Sequence, residues 1–199
     1  MDNTYFYGNY IFTPMFKCVL LIMIFAGNAE KRQIDTFIKW SDTTQLNYAD
    51  FKGAQAPPKD SVARPDTLAV INCAIKYEID ISTGRTLIHA YAVMHPEHSW
   101  MKVRTPSVLQ HEQGHFDIEE IYARRFEKMM NDTLIKDADN YFIFLTDSFK
   151  QILADVKEEH NKYDNWTMNN LGKDFYYKWI HDQLYPSDKP GAVAKPSPL

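Results

Sequence analysis

Cysteine is nearly absent: two in 199 residues, Cys18 and Cys73. A disulfide framework is therefore excluded, because Cys18 lies in an amino-terminal segment read below as removable and Cys73 then has no partner in the chain. An oxidising compartment is permitted but not required. Repeats are missing too, so a solenoid or propeller is excluded. There is no basic excess, since 22 Lys and Arg face 26 Asp and Glu for a formal charge of -4, which argues against nucleic acid as a partner. Nor is there an apolar run of the roughly 20 residues that a spanning helix needs. The most apolar stretch, Cys18 to Ala26, follows Lys17 and precedes the small residues Gly27-Asn28-Ala29. That pattern reads as a secretory signal cleaved after Ala29, with translation starting at Met15, export to the periplasm or medium, and membrane contact only through the removed segment.

What remains suits one α+β domain over residues 30–185, followed by a tail, 186–199, whose four prolines predict disorder. A short strand is expected over 33–40 and a proline-bearing loop over 54–65. Residues 68–81 and 86–94 are rich in branched and aromatic side chains around the turn Ser82-Thr83-Gly84-Arg85, predicting an antiparallel hairpin. Helical periods predict three helices, over 106–130, 139–161 and 171–184. His95, His98 and Trp100 fall in the loop between hairpin and first helix, where Pro96 breaks any regular ligand spacing.

The chemically specific stretch is His111-Glu112-Gln113-Gly114-His115. Histidines four apart stand one above the other on a helix face, so both imidazoles can reach one ion, and Zn2+ suits such ligands. Glu112 then faces a water on the open side of the metal, as a general base. By chance the pattern arises in about one shuffled copy of this chain per hundred, so context must carry weight. Thr105 and Pro106 are the cap and first residue of a helix that begins just before the motif. Val108, His111, His115, Ile118 and Tyr122 form one helical stripe, which places both histidines where core would otherwise be. The rival reading is a plain core with two hydrogen-bonded histidines. Glu119, eight residues beyond His111, lies about 12 Å along the axis, too far to share the ion, and is expected beside the site or at the surface.

With these residues in view the chain resembles the zincins, whose His-Glu-x-x-His helix floors a cleft beneath a sheet. More closely it resembles secreted bacterial proteins catalogued as domain of unknown function family 922. The matches are Tyr48-Ala49-Asp50-Phe51-Lys52-Gly53, Ser99-Trp100, His111 to Ile118 continuing through Ile121-Tyr122-Ala123-Arg124-Arg125, then Tyr163-Asp164 with Thr167, and Trp179. The resemblance implies a zincin-like fold and a zinc metallopeptidase that uses a metal-activated water on a peptide held extended along one strand of the 67–94 hairpin. It also implies a third ligand near Tyr163-Asp164. Asp164 is the expected one, with His160, on the apolar stripe of the second helix, as the alternative. Tyr163 is expected either to donate to a developing oxyanion or to pack. The family pattern departs at Trp166 and Asn169, where relatives carry an acidic residue and a histidine; if the family's third ligand is either of those, this chain has lost it. Those departures keep open a catalytically impaired zincin-like module for binding or assembly in the cell envelope.

Overall fold

A threonine and a proline set where the central helix begins. In the computed structural model, helix α1 (Pro106–Asp132) has Thr105 as its cap, whose hydroxyl accepts the Val108 N–H at 3.4 Å, and Pro106 in its first turn. The structure describes residues 36–54, 67–81, 85–134, 137–168 and 172–186. The signal segment, the Met15 start, most of the 54–65 loop, turn residues 82–84, Asn169 and residues 187–199 of the tail lie outside the described residues.

The hairpin forms as the alternation requires. Strands β3 (Cys73–Asp80) and β4 (Leu87–Met94) pair antiparallel from Cys73↔Met94 to Asp80↔Leu87. Of the strand expected over 33–40, residues 33–35 lie outside the described residues, and within the rest strand β1 (Ile38–Lys39) pairs with two residues of β4, giving the sheet order β1-β4-β3. Most of that edge of β4 would be left without partners. Side chains of α1 fill the gap: Glu120 accepts from the Ala92 N–H at 3.0 Å, Glu127 from Ala90 at 2.7 Å and Asn131 from Ile88 at 2.8 Å. Hydrogen bonds thus fix the helix along the strand, and the apolar faces close between them. Ile88, Ala92, Phe116, Ile118 and Phe126 are fully buried there.

The sequence stretch 68–81 is not one strand. Ala69–Val70 (β2) pair instead with Trp100–Met101 (β5), and the chain turns at Ile71-Asn72 before β3. The Ser99 hydroxyl accepts the Asn72 N–H at 2.8 Å and the Asn72 carbonyl accepts from His95 at 2.9 Å, which holds that bend. Its consequence is that Thr67 to Ile71 diverge from the hairpin and wall a cleft over α1.

Helix α2 (Ala138–Met168) runs seven residues beyond the predicted end at 161, because the buried stripe Val156, Tyr163, Thr167 continues at helical spacing. Asp164 is therefore a helical residue, not a loop residue. Helix α2 lies antiparallel to α1, since Tyr122 meets Glu159, His115 meets His160 and His111 meets Asp164. Helix α3 (Lys173–Leu184) closes against both. The described residues thus form a mixed α+β architecture with α1 at its centre, touching β3, β4, α2 and α3. Among them no helix is long and apolar enough to cross a membrane.

One glycine sets how closely the two long helices approach. A Cβ at Gly114 would lie 2.1 Å from the Tyr163 hydroxyl and 2.5 Å from its ring. Alanine ordinarily stabilises a helix by about 1 kcal/mol over glycine. Here Gly114→Ala is expected to cost about 1–3 kcal/mol in urea unfolding instead, because α2 must move away; unchanged or raised stability would contradict the close crossing.

Candidate metal centre

The crossing of α1 and α2 brings three donor atoms together. His111 Nε2 lies 3.1 Å from Asp164 Oδ1, His115 Nε2 lies 2.9 Å from the same oxygen, and the two nitrogens are 3.2 Å apart. Among the described residues, His111, His115 and Asp164 form the one group of three His, Cys, Asp or Glu side chains close enough to share an ion. Ligands about 2.0–2.1 Å from a tetrahedral zinc are themselves about 3.3 Å apart, so the observed spacing is close to that of one coordination face.

The far side of each ring shows where its proton belongs. Thr167 donates its hydroxyl to the Tyr163 carbonyl at 2.6 Å, leaving its oxygen to accept from His111 Nδ1 at 3.2 Å. His160 donates from Nε2 to the buried Glu119 carboxylate at 2.9 Å, leaving its Nδ1 to accept from His115 Nδ1 at 2.9 Å. With those tautomers both histidines carry their protons outward and turn bare Nε2 lone pairs on Asp164. Three electron-pair donors in contact repel unless a cation sits among them. Without one, an imidazole must give up its outer bond and turn its proton inward. With one, every ring proton has an acceptor and every inward atom has a partner.

Charge and burial agree with that arrangement. Burial lowers the His115 pKa to about 4, which keeps the ring neutral, the metal-binding form, at ordinary pH. Burial also opposes ionisation of Asp164; without a cation, hydrogen bonds from imidazoles whose protons turn inward outweigh it and hold that carboxyl well below its usual range. Glu112 is buried beside them. Desolvation raises its pKa to about 7, against the pull of His111 and a hydrogen bond from the Ile71 backbone. A carboxyl group with that pKa can exchange a proton near neutrality.

The site opens into a cavity of about 1040 Å³, with α1 as floor, α2 as one wall and Thr67 to Ile71 as the other. His111, Glu112, His115 and Asp164 all line it. Tyr163 does not. Fully buried, it donates its hydroxyl to the His111 carbonyl at 3.2 Å and stacks its ring on His111 with centroids 4.9 Å apart. Of the two roles expected for it, packing matches this placement: the hydroxyl faces the backbone of α1, and Tyr163 holds the His111 turn in place. Tyr177 of α3 is the tyrosine that lines the cavity.

His160, the alternative ligand, stands one bond further out, and Glu119 supports it from beneath. Trp166 lies outside the cavity, half-exposed against Phe175 and Tyr176. Thr167, which sequence reasoning noted only as a motif match, is the acceptor that orients His111. Its signal was position, on the same helical face as Tyr163 and Asp164. His95 and His98 sit at a short 3-10 turn, Pro96–His98, outside the cluster.

No family model, no curated protein and no solved structure matches the chain.

Two outcomes test the proton arrangement. His160→Phe removes the acceptor for His115 and is expected to weaken zinc binding about 10–100-fold in chelator competition, with helix content unchanged; equal affinity would show that the outer pair does not orient the ring. Metal uptake at pH 7 favours ionised Glu112, so calorimetry in buffers of differing ionisation enthalpy should find wild type releasing about half a proton more than Glu112→Gln. Equal release would mean that Glu112 is already ionised before the metal arrives.

Proposed function

We propose that this protein is an exported zinc-dependent hydrolase, a metallopeptidase of zincin-like design. The observation that carries the reading is the convergence of His111 Nε2, His115 Nε2 and Asp164 Oδ1, all within 3.2 Å of one another, next to the buried carboxylate of Glu112. His111, His115 and Asp164 would hold the ion. When bound, zinc supplies Lewis acidity toward a carbonyl oxygen and makes water a stronger acid. Two imidazoles and a carboxylate also serve iron in oxygenases, but a neighbouring carboxylate outside the ligand set, poised near neutral pH, favours hydrolysis.

The chain's own groups divide the remaining work. Glu112 accepts a proton from the attacking water and returns it to the leaving nitrogen, with the Ile71 N–H holding its carboxylate in place. Thr167 and the His160–Glu119 pair hold the two ligand rings. The substrate would be a peptide or protein segment in extended conformation. Strand β3 is at the edge of its sheet, and the chain just before it walls the cavity, which favours main-chain pairing with such a segment. The segment Lys17 to Ala29 supports export, and the residue matches in 48–53 and 111–125 support kinship with the zincins and with domain of unknown function family 922.

The departures at Trp166 and Asn169 favour a second reading, an envelope binding or assembly module that keeps the metal without turnover. One comparison separates the two. On an unbiased peptide library, wild type should cleave and Glu112→Gln should lose at least about 100-fold of that rate while retaining zinc. Zinc bound with no cleavage by either protein would favour the module, and cleavage that survives the substitution would remove Glu112 from the chemistry.

A further inference from the structure

Outside the metal centre and its Glu119–His160 support, the charged side chains that line the cavity are both cations, Lys157 and Lys173. This is unusual for a chain with more acidic than basic residues. Several of its other lysines sit against acids, among them Lys162 with Glu158 at 2.7 Å, Lys150 with Asp147 at 3.6 Å and Lys52 with Glu97 at 4.0 Å, while Lys39 and Lys76 lie over the Tyr91 and Phe37 rings. Neither cavity lysine has an acidic partner among the described residues. Lys173 donates to the Ser107 hydroxyl at 3.0 Å, a neutral acceptor that positions the ammonium without cancelling its charge. Lys157 is exposed on α2 between the cavity-lining residues Val156 and His160, and its i+4 neighbour is Asn161, so no acid lies on that side.

The placement of the pair gives it a direction. Lys157 precedes Asp164 by seven residues, about 10 Å along α2 at 1.5 Å per residue. Ser107, which holds Lys173, precedes His111 by four residues, about 6 Å along α1. Because the helices run antiparallel, the two ammonium groups flank the metal centre on opposite sides. An extended peptide rises about 3.3 Å per residue, so each cation lies about two or three residues from the bond presented to Glu112.

Building on the hydrolase reading above, we infer that the cleft selects peptides carrying a carboxylate within about three residues of that bond, with Lys157 and Lys173 as the groups that recognise it. A carboxylate reaches this cleft either as an Asp or Glu side chain or as the peptide's own terminus, and both offer the same chemistry to an ammonium group.

The test uses zinc-loaded Glu112→Gln protein, which would bind without turnover. Fluorescent peptides with Asp and Glu around a central apolar pair are compared with Asn and Gln counterparts, each as free acid and as carboxyl-terminal amide. Acidic peptides should bind about ten-fold more tightly, the preference should shrink with added salt, and Lys157→Glu with Lys173→Glu should abolish or invert it. A preference that survives amidation assigns the side chain; one lost on amidation assigns the terminus. Equal binding of acidic and amide-side-chain peptides, a preference untouched by the lysine substitutions, or no peptide binding by the zinc-loaded protein would each overturn the inference. Failure to take up zinc at all would instead strike the hydrolase reading, and cleavage by wild type without acidic preference would spare that reading while removing this one.

Discussion

Two imidazole nitrogens and a carboxylate oxygen, held within 3.2 Å of one another on two antiparallel helices, are the constraint from which the rest of this structure follows. Such a contact is unfavourable by itself and favourable around a cation. The surroundings are built to maintain it. Thr167 and His160 draw the ring protons outward, Glu119 anchors His160, and Tyr163 ties the His111 turn to α2. Gly114 is the one position in the motif without a side chain to keep the helices apart. A metal bound here would bridge α1 and α2, coupling the site to the packing of the whole helical layer.

The sheet serves this centre indirectly. Because α1 side chains replace the missing neighbour of β4, the helix is fixed in register with the hairpin by hydrogen bonds as well as by apolar burial. That register places Glu112 under the Ile71 bend, where a backbone N–H reaches its carboxylate. The cleft is thus the gap between a strand pair that leaves the hairpin early and a helix fixed to what remains of it.

Much of this was legible in the residues. Thr105-Pro106 marked the start of α1, and the alternation in 73–80 and 87–94 marked the hairpin, because both signals are local. The histidine pair was legible for the same reason, since four residues on a helix is a fixed distance. Asp164 could be named from the resemblance, but its meeting with the pair depends on how α2 crosses α1, which no short window contains. The end of α2 falls beyond 161 because the stripe, which in the sequence already reaches Tyr163, continues to the buried Thr167, a polar residue that hydropathy does not mark. The break at Ile71-Asn72 escapes the sequence because residues 68–81 are rich in branched and aromatic side chains throughout and read as one strand, whereas pairing of Ala69–Val70 with Trp100–Met101 is a long-range choice. Proton positions at the histidines were beyond sequence altogether, being set by Thr167, His160 and Glu119 acting from across the helix interface.

X-ray absorption at the zinc edge, on protein loaded with one equivalent of zinc and dialysed, tests the central claim most directly. The account predicts one retained ion whose nearest neighbours are two imidazole nitrogens and carboxylate or water oxygen at about 2.0–2.2 Å, with no sulfur. Zinc lost on dialysis, or a shell containing a sulfur at about 2.3 Å from Cys73, would contradict it.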